Sequence, residues 1–181
     1  MFKQLRFFRA SLLALGLILL FNDLYSQDGF DNPTRALYVF DLAKYIDYGP
    51  DFADSATFKI GVLLGDYDLI NEMGNIAKTR TKIRDKPVLL IGFRRLECLT
   101  YTQVLYVNKN EGFDLKEIKA QIEGRQTMLI SEGYELRESR MISIIVDGKP
   151  RYEINERSIK SEGMHVHKEL FLMAMKNKEN R

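Results

Sequence analysis

The sequence predicts a single three-layer α/β domain, with a mostly parallel sheet of five to six strands, flanking helices and a C-terminal antiparallel hairpin. Short apolar runs rich in β-branched residues alternate with segments of helical periodicity, which is typical of parallel strands joined by crossover helices. The 181 residues are 45% hydrophobic and 29% charged, an ordinary globular balance. This length and composition fit one domain with a short additional segment.

Residues 1–26 have the three zones of a secretory signal peptide. A basic start is followed by the apolar run 11–21 and by a polar stretch that ends at Ser26. A bilayer span needs roughly 20 apolar helical residues, whereas a run of about eleven has the length of a signal-peptide core. We therefore expect cleavage after Ser26 and export to the periplasm; an uncleaved membrane anchor is the alternative.

Export leaves an electrically neutral chain. The precursor carries 27 Lys and Arg against 25 Asp and Glu, a net charge of +2, and residues 1–26 contain Lys3, Arg6, Arg9 and Asp23. A neutral protein has no long-range field that attracts nucleic acid or anionic lipid. We therefore expect no nucleic-acid partner.

The mature chain opens with a predicted helix. Asn32 can cap a helix N-terminus, and Pro33 suits the first turn because its missing N–H is not needed there. Apolar residues follow at three-to-four spacing from Ala36 to Ile46. Residues 47–56, which include a Gly-Pro pair, are a predicted loop.

Three short runs, 58–64, 88–93 and 104–107, are predicted strands. Apolar residues occupy both parities of each run, so we expect both faces of these strands to be covered. Residues 67–77 have helical spacing and are a predicted crossover helix, with Asp66 or Asp68 as its cap.

The second half continues this alternation and then changes. Asp114 is the predicted cap of a helix that runs through Ile122 and stops at Gly124, and residues 126–131 are a fourth strand. Residues 141–146 and 151–154 flank an Asp-Gly turn and predict an antiparallel hairpin, and residues 167–175 predict a final helix. We expect a domain over 27–176 and a polar tail over 177–181.

Four segments, in this order, resemble the YfiR/HmsC-like family. They are ALYVFDLAKYIDYGP (36–50), FKIGVLLGD (58–66), QVLYV (103–107) followed by LISEGYEL (129–136), and MISIIVDGKPRYEINERSIKSEGMHVHKELFLMA (141–174). The last is similar to the closing hairpin and final helix of the family. The family has a Trp-Pro corner where this chain has Tyr48-Gly49-Pro50.

The resemblance implies regulation rather than catalysis. Members of the family are periplasmic proteins, and the studied ones restrain a membrane-bound diguanylate cyclase by binding its periplasmic portion, which limits cyclic-di-GMP and biofilm formation. Some form dimers, and relatives also occur beside sensor kinases. The chain is accordingly expected to be a non-enzymatic regulator without a cofactor, whose partner is the periplasmic portion of a cyclase or sensor kinase, with a homodimer as a further state. The alternative is a periplasmic small-molecule-binding module that feeds a sensor kinase.

Cys98 sets this chain apart from relatives whose activity is linked to paired cysteines. It is the single cysteine, so it cannot form an intrachain disulfide. Two alternatives remain, a free thiol and a bridge between two chains.

Two further motifs have a chemical and a structural interpretation. His165 and His167 could both touch a metal, but a catalytic zinc site normally takes three protein ligands, so we expect two solvated histidines. Residues 61–66 lead from a strand into a helix, where phosphate loops lie, but they lack the Lys-Ser/Thr pair. A structural turn is expected there, and a ligand pocket at this carboxyl end of the sheet stays open as the alternative.

A contact surface is the remaining functional prediction. It combines the aromatic residues near the end of the first helix with alternate residues of the hairpin, because Tyr and Arg are favoured anchors at protein interfaces. A half-exposed strand without a partner is the alternative for the hairpin. The predicted contact residues are Tyr45, Tyr48, Phe52, Arg151 and Glu153.

Overall fold

A computed structural model describes residues 30–49, 52–63, 67–134, 141–146 and 150–179. The predicted signal peptide, the Asp-Gly turn of the hairpin and residues 64–66 therefore lie outside the described residues. The helices are α1 (Asn32–Lys44), α2 (Asp68–Thr79), α3 (Leu115–Ile122), α4 (Glu156–Ser161) and α5 (Lys168–Glu179). The strands are β1 (Ile46–Asp47), β2 (Phe58–Leu63), β3 (Lys82–Ile83), β4 (Lys86–Phe93), β5 (Val104–Asn108), β6 (Met128–Glu132), β7 (Ile142–Ile145), β8 (Arg151–Ile154) and β9 (His165–Val166).

The opening helix is confirmed, but its cap lies one residue earlier than predicted. Asp31, not Asn32, is the N-cap, and its Oδ1 accepts a hydrogen bond from the Thr34 amide at 3.0 Å. The hydrogen bonds from Thr34 lower the pKa of Asp31. Asp114 caps α3 as predicted. The N-cap residue of α2 is Tyr67, which makes no side-chain capping hydrogen bond, so the predicted cap at Asp68 is wrong; the predicted cap at Asp66 lies outside the described residues.

The main sheet confirms the predicted fold class. Seven strands lie in the order β3-β4-β2-β5-β6-β7-β8. The central strands β4, β2, β5, β6 and β7 are parallel. The outer strands β3 and β8 are antiparallel to their neighbours, so the predicted C-terminal hairpin is the pair β7–β8.

The short strand β3 was not predicted. It pairs with the start of β4 across a tight turn at Arg84 and Asp85, whose φ angles are 51° and 64°. Gly and Asn are the residues that usually adopt this left-handed conformation. Because Arg84 and Asp85 occupy these positions, the sequence contains no glycine that would have indicated the turn.

The direction of the connections reverses between β2 and β5. β2 leads through α2 to β4 on one side, and β5 leads through α3 to β6 on the other. Because such crossovers are right-handed, α2 and α3 lie on opposite faces of the sheet. This is a doubly wound arrangement, and it leaves a crevice at the carboxyl ends of β2 and β5.

Burial of the strands matches the prediction for the centre of the sheet and not for β4. β5 and β6 are buried almost throughout, since the layers on both faces cover them. β4 lies next to the edge of the sheet, and its Leu89 side chain is 44% exposed. The prediction that both faces of residues 88–93 are covered is therefore wrong.

The end of the chain is tied back to the opening helix. β9 pairs antiparallel with β1, which places Val166 beside Ile46. The backbone amide of His167 also donates to the carbonyl oxygen of Tyr45 at 2.8 Å. α5 then extends to Glu179, beyond the predicted end of the final helix.

Candidate interaction surface

Tyr48 and Phe52 belong to the core. Tyr48 is fully buried, and its hydroxyl donates to the carbonyl oxygen of Ala43 at 3.0 Å. Its ring lies 5.5 Å from the Phe52 ring and 5.2 Å from the Phe58 ring. Because both side chains are buried, Tyr48 and Phe52 pack the loop before β2 against the core. They do not lie on the surface, where the sequence predicted them as contact residues.

Lys86 fixes the same loop from the start of β4. Its ammonium group lies 4.6 Å from the Phe52 ring centroid. It donates to the carbonyl oxygens of Phe52 at 2.7 Å and Ala53 at 2.8 Å, and also to that of Ser55. One cation therefore holds three backbone acceptors together, and the loop is a structural element.

Tyr45 lies instead in a cavity between α1, β8 and α5, which we call the three-tyrosine pocket. Its volume is about 390 Å³. The residues that line it are Tyr38, Asp41, Leu42, Tyr45, Tyr152, Leu170 and Met173. The pocket is open to solvent at Met173, whose side chain is 37% exposed.

Backbone carbonyl groups orient two of the three tyrosines. The Tyr38 hydroxyl donates to the Pro150 carbonyl oxygen at 3.1 Å, and the Tyr152 hydroxyl donates to that of Leu170 at 3.1 Å. Burial, together with the neighbouring Tyr38 and Tyr45 hydroxyls, raises the pKa of Tyr152 to about 12. Tyr152 is therefore neutral at physiological pH, and the pocket offers fixed aromatic surface.

Asp41 is the acidic residue of this pocket, and its charge is compensated. Its Oδ1 accepts hydrogen bonds from Lys44 Nζ at 2.7 Å and from Arg80 Nη1 at 2.6 Å. Burial alone raises the pKa of Asp41, but these two cations outweigh burial and lower it. The pocket therefore suits an apolar group rather than a cation.

Arg151 and Glu153 lie on the other face of the hairpin. They stand opposite Ile145 and Ser143 in the β7–β8 register, while Tyr152 between them belongs to the pocket face. Side chains of a strand alternate between the two faces of its sheet. The structure therefore brings Tyr45 together with Tyr152 and separates it from Arg151 and Glu153.

The two histidines are exposed beside the start of α5. The Nε2 atom of His167 lies 3.0 Å from Arg84 Nη1, and since a guanidinium only donates, this nitrogen is the acceptor. Arg84 also lies 3.8 Å from the Asp47 carboxylate. Within the described ranges no three His, Cys, Asp or Glu side chains are grouped as metal ligands.

Cys98 is exposed at the end of a short 3₁₀ turn, Leu96–Cys98. Its Sγ lies 3.8 Å from Arg95 Nη2. The thiol is thus sterically accessible to a second chain, and the intermolecular bridge stays a prediction.

A buried polar cluster, which the sequence did not reveal, lies at the carboxyl ends of β5 and β6. Glu132 is only 4% exposed. Arg35 Nε donates to its two carboxylate oxygens at 2.9 and 3.1 Å, Asn108 Nδ2 donates at 3.0 Å, and the Tyr106 hydroxyl donates as well. Burial and the neighbouring Glu132 charge raise the pKa of Tyr106, so its phenol keeps its proton.

Comparison with known proteins identifies the family of this chain. The model of the YfiR/HmsC-like family matches residues 32–175. The chain belongs to the YfiR/HmsC-like family. The match covers most of the chain, and the four resembling segments all fall within it. The search of curated proteins found no significant match.

The YfiR/HmsC-like family is known as periplasmic regulators of diguanylate cyclases, and its role is regulatory rather than catalytic. The family is generally associated with binding a membrane signalling protein. Among the described helices of this member, none is both long and apolar enough to cross a membrane.

Proposed function

We propose that this chain is an exported, non-enzymatic regulator that binds the periplasmic portion of a membrane-bound diguanylate cyclase and thereby limits cyclic-di-GMP and biofilm formation. Membership of the YfiR/HmsC-like family carries the proposal. The sequence features that support export are the basic start, the short apolar run and the small residue at position 26.

The three-tyrosine pocket is the proposed contact site. Its occupant is an apolar or aromatic side chain of the cyclase, because the pocket offers tyrosine rings together with Leu42, Leu170 and Met173. Burial of one such side chain contributes about 1.5–3 kcal/mol, which makes it an anchor of the interface. Tyr45, Arg151 and Glu153 remain proposed contacts, the last two on a separate face of the hairpin.

A charge placed in the pocket tests this assignment. We expect deletion of the gene to raise cellular cyclic-di-GMP and the wild-type gene to restore it. Met173→Glu should fail to restore it, because an unpaired carboxylate in the contact site opposes burial of an apolar group. The measurement is cyclic-di-GMP by mass spectrometry, together with recovery of the cyclase from envelope extracts.

Leu37→Glu is the matched control. Leu37 is 38% exposed, almost the same as Met173 at 37%, but it does not line the pocket. We expect this variant to restore regulation. Equal loss in both variants, or full restoration by Met173→Glu at normal protein level, contradicts the assignment of the pocket.

The alternative partner is the periplasmic portion of a sensor kinase, with the chain as a small-molecule-binding module. The crevice at the carboxyl ends of β2 and β5 favours this second candidate. Under that function, deletion leaves cyclic-di-GMP unchanged and alters kinase-dependent transcription. Capture of a kinase instead of a cyclase by the tagged mature chain decides between the two.

A further inference from the structure

The crevice where the doubly wound sheet reverses direction contains a fixed arginine. We call it the switch-point crevice, and its volume is about 180 Å³. Val62, Leu63 and Leu69 form an apolar part of its lining, and Arg35 and Asn108 form a polar part. Ligands of open α/β sheets bind at this position, outside the carboxyl ends of the strands.

Arg35 is held from three directions. Its guanidinium lies 5.1 Å from the Phe30 ring, its Nε donates to Glu132, and its Nη1 donates to Asn32 Oδ1 at 3.3 Å. Nη2 has no acceptor among the described residues, and the side chain is 22% exposed. The guanidinium is therefore oriented in advance and retains donors on the lining of the crevice.

The remaining donors of Arg35 are suited to an anion. A planar guanidinium binds carboxylate or phosphate groups through parallel hydrogen bonds. The first turns of α1 and α2 each contribute a lining residue, Asn32 and Leu69, so the positive ends of two helix dipoles lie at the crevice. Asp31 caps α1, and in α2 the N-cap residue Tyr67 makes no side-chain capping hydrogen bond while Asp68 lies in the first turn.

The other charges near the crevice limit the charge of the ligand. Glu132 balances Arg35, and Glu111 adds a negative charge to the lining. The Glu111 carboxylate repels a dianion such as phosphate more strongly than it repels a ligand with a single negative charge. The volume equals that of about six water molecules, which a carboxylate of about three to five carbons fills.

We propose that the switch-point crevice binds a small monocarboxylate, with its carboxylate on the Nη donors of Arg35 and its short apolar body against Val62, Leu63 and Leu69. This site is separate from the three-tyrosine pocket, and the inference does not rest on the proposed function. It names a ligand class that the family assignment does not contain.

Titration calorimetry and thermal melting of the mature protein test the proposal, with butyrate and valerate as probes at constant ionic strength. A ligand that binds the native state alone raises the melting temperature with concentration. We expect butyrate and valerate to bind, and we expect butyramide, the neutral isostere, and octanoate, which is too long, not to bind. Equal stabilisation by butyramide, stronger binding of phosphate than of butyrate, or no heat and no shift with any carboxylate overturns the proposal.

Variants locate the effect. Arg35→Lys keeps the charge and removes the planar fork, and we expect at least about tenfold weaker butyrate binding. The double variant Arg35→Gln with Glu132→Gln removes both charges of the ion pair, so neither is left without its partner. We expect this variant to fold and not to bind butyrate. Arg157→Gln, an exposed arginine on α4, is the matched control and should bind as wild type. Unchanged affinity in both Arg35 variants refutes the assignment of the site.

Discussion

Removal of Arg35 alone should destabilise the protein more than removal of the whole Arg35–Glu132 pair. In Arg35→Ala the Glu132 carboxylate, 4% exposed, loses its cationic partner and keeps only the donors of Tyr106 and Asn108. Breaking one partner of a buried ion pair costs about 3–5 kcal/mol. Loss of the contact with Phe30, at 5.1 Å, adds up to about 1 kcal/mol.

The double variant Arg35→Gln with Glu132→Gln leaves no buried charge. Its side chains retain hydrogen-bonding capacity toward Tyr106 and Asn108, so we expect a loss of no more than about 2 kcal/mol. The sum of the two single glutamine variants should therefore exceed the double variant by more than about 1 kcal/mol, because groups in one network are not additive.

Urea unfolding followed by circular dichroism at neutral pH measures these free energies. The slope of the transition should stay constant across the variants, since a change in slope reports a change in the unfolded or native ensemble rather than in stability alone. A loss below about 1 kcal/mol for Arg35→Ala, or single variants that add within about 0.5 kcal/mol, refutes the description of Glu132 as a buried charge that depends on its partner.

Three further predictions concern packing and pH. Gly61→Ala should lower the free energy of urea unfolding by about 1–3 kcal/mol, since a Cβ there lies 2.8 Å from Phe93 Cε2. Gly74→Ala is the control: a Cβ there meets nothing within 4 Å, so this variant should stabilise α2 by about 0.5–1 kcal/mol. Equal changes in stability for the two variants contradict the close packing at Gly61. The folded protein has a lowered pKa at Asp41, so the ionised carboxylate stabilises it, by at most about 1 kcal/mol at this exposed site. This stabilisation is present above the unfolded pKa and is lost as the pH falls below about 4. The free energy of unfolding of Asp41→Asn should therefore fall less steeply with acid than that of wild type. Tyr152 has its pKa raised to about 12, so stability should fall as pH rises above about 10, where only the unfolded phenol ionises; Tyr152→Phe should remove this part of the alkaline loss, and an unchanged profile sinks the argument.

The fold class was predictable because it depends on local patterns. Short β-branched runs and helical spacing identified the central strands and α1, α2 and α3 without reference to distant residues. The sequence predicted Asn32 as the N-cap of α1, but the N-cap is Asp31. Both residue types cap helices, and only the backbone geometry decides between them. The exposure of Leu89 was not predictable, since it follows from the place of β4 near the edge rather than from its own sequence.

The candidate sites depended on contacts between distant residues, which the sequence alone did not supply. Tyr48 and Phe52 are aromatic like Tyr45, but packing against Phe58 places them inside the core. Arg35 and Glu132 lie 97 positions apart, and no local pattern connects them. The one available signal was an acid at the end of an apolar strand, close to the edge where ligands of parallel sheets bind.

Helix α1 carries residues of both cavities. Arg35 lies near its first turn at the switch-point crevice, and Tyr38, Asp41 and Leu42 lie further along in the wall of the three-tyrosine pocket. The 13 residues of this helix form a stiff rod about 20 Å long. Because the helix moves as one body, a ligand that tilted or shifted it at the crevice would also displace the wall of the pocket at its other end.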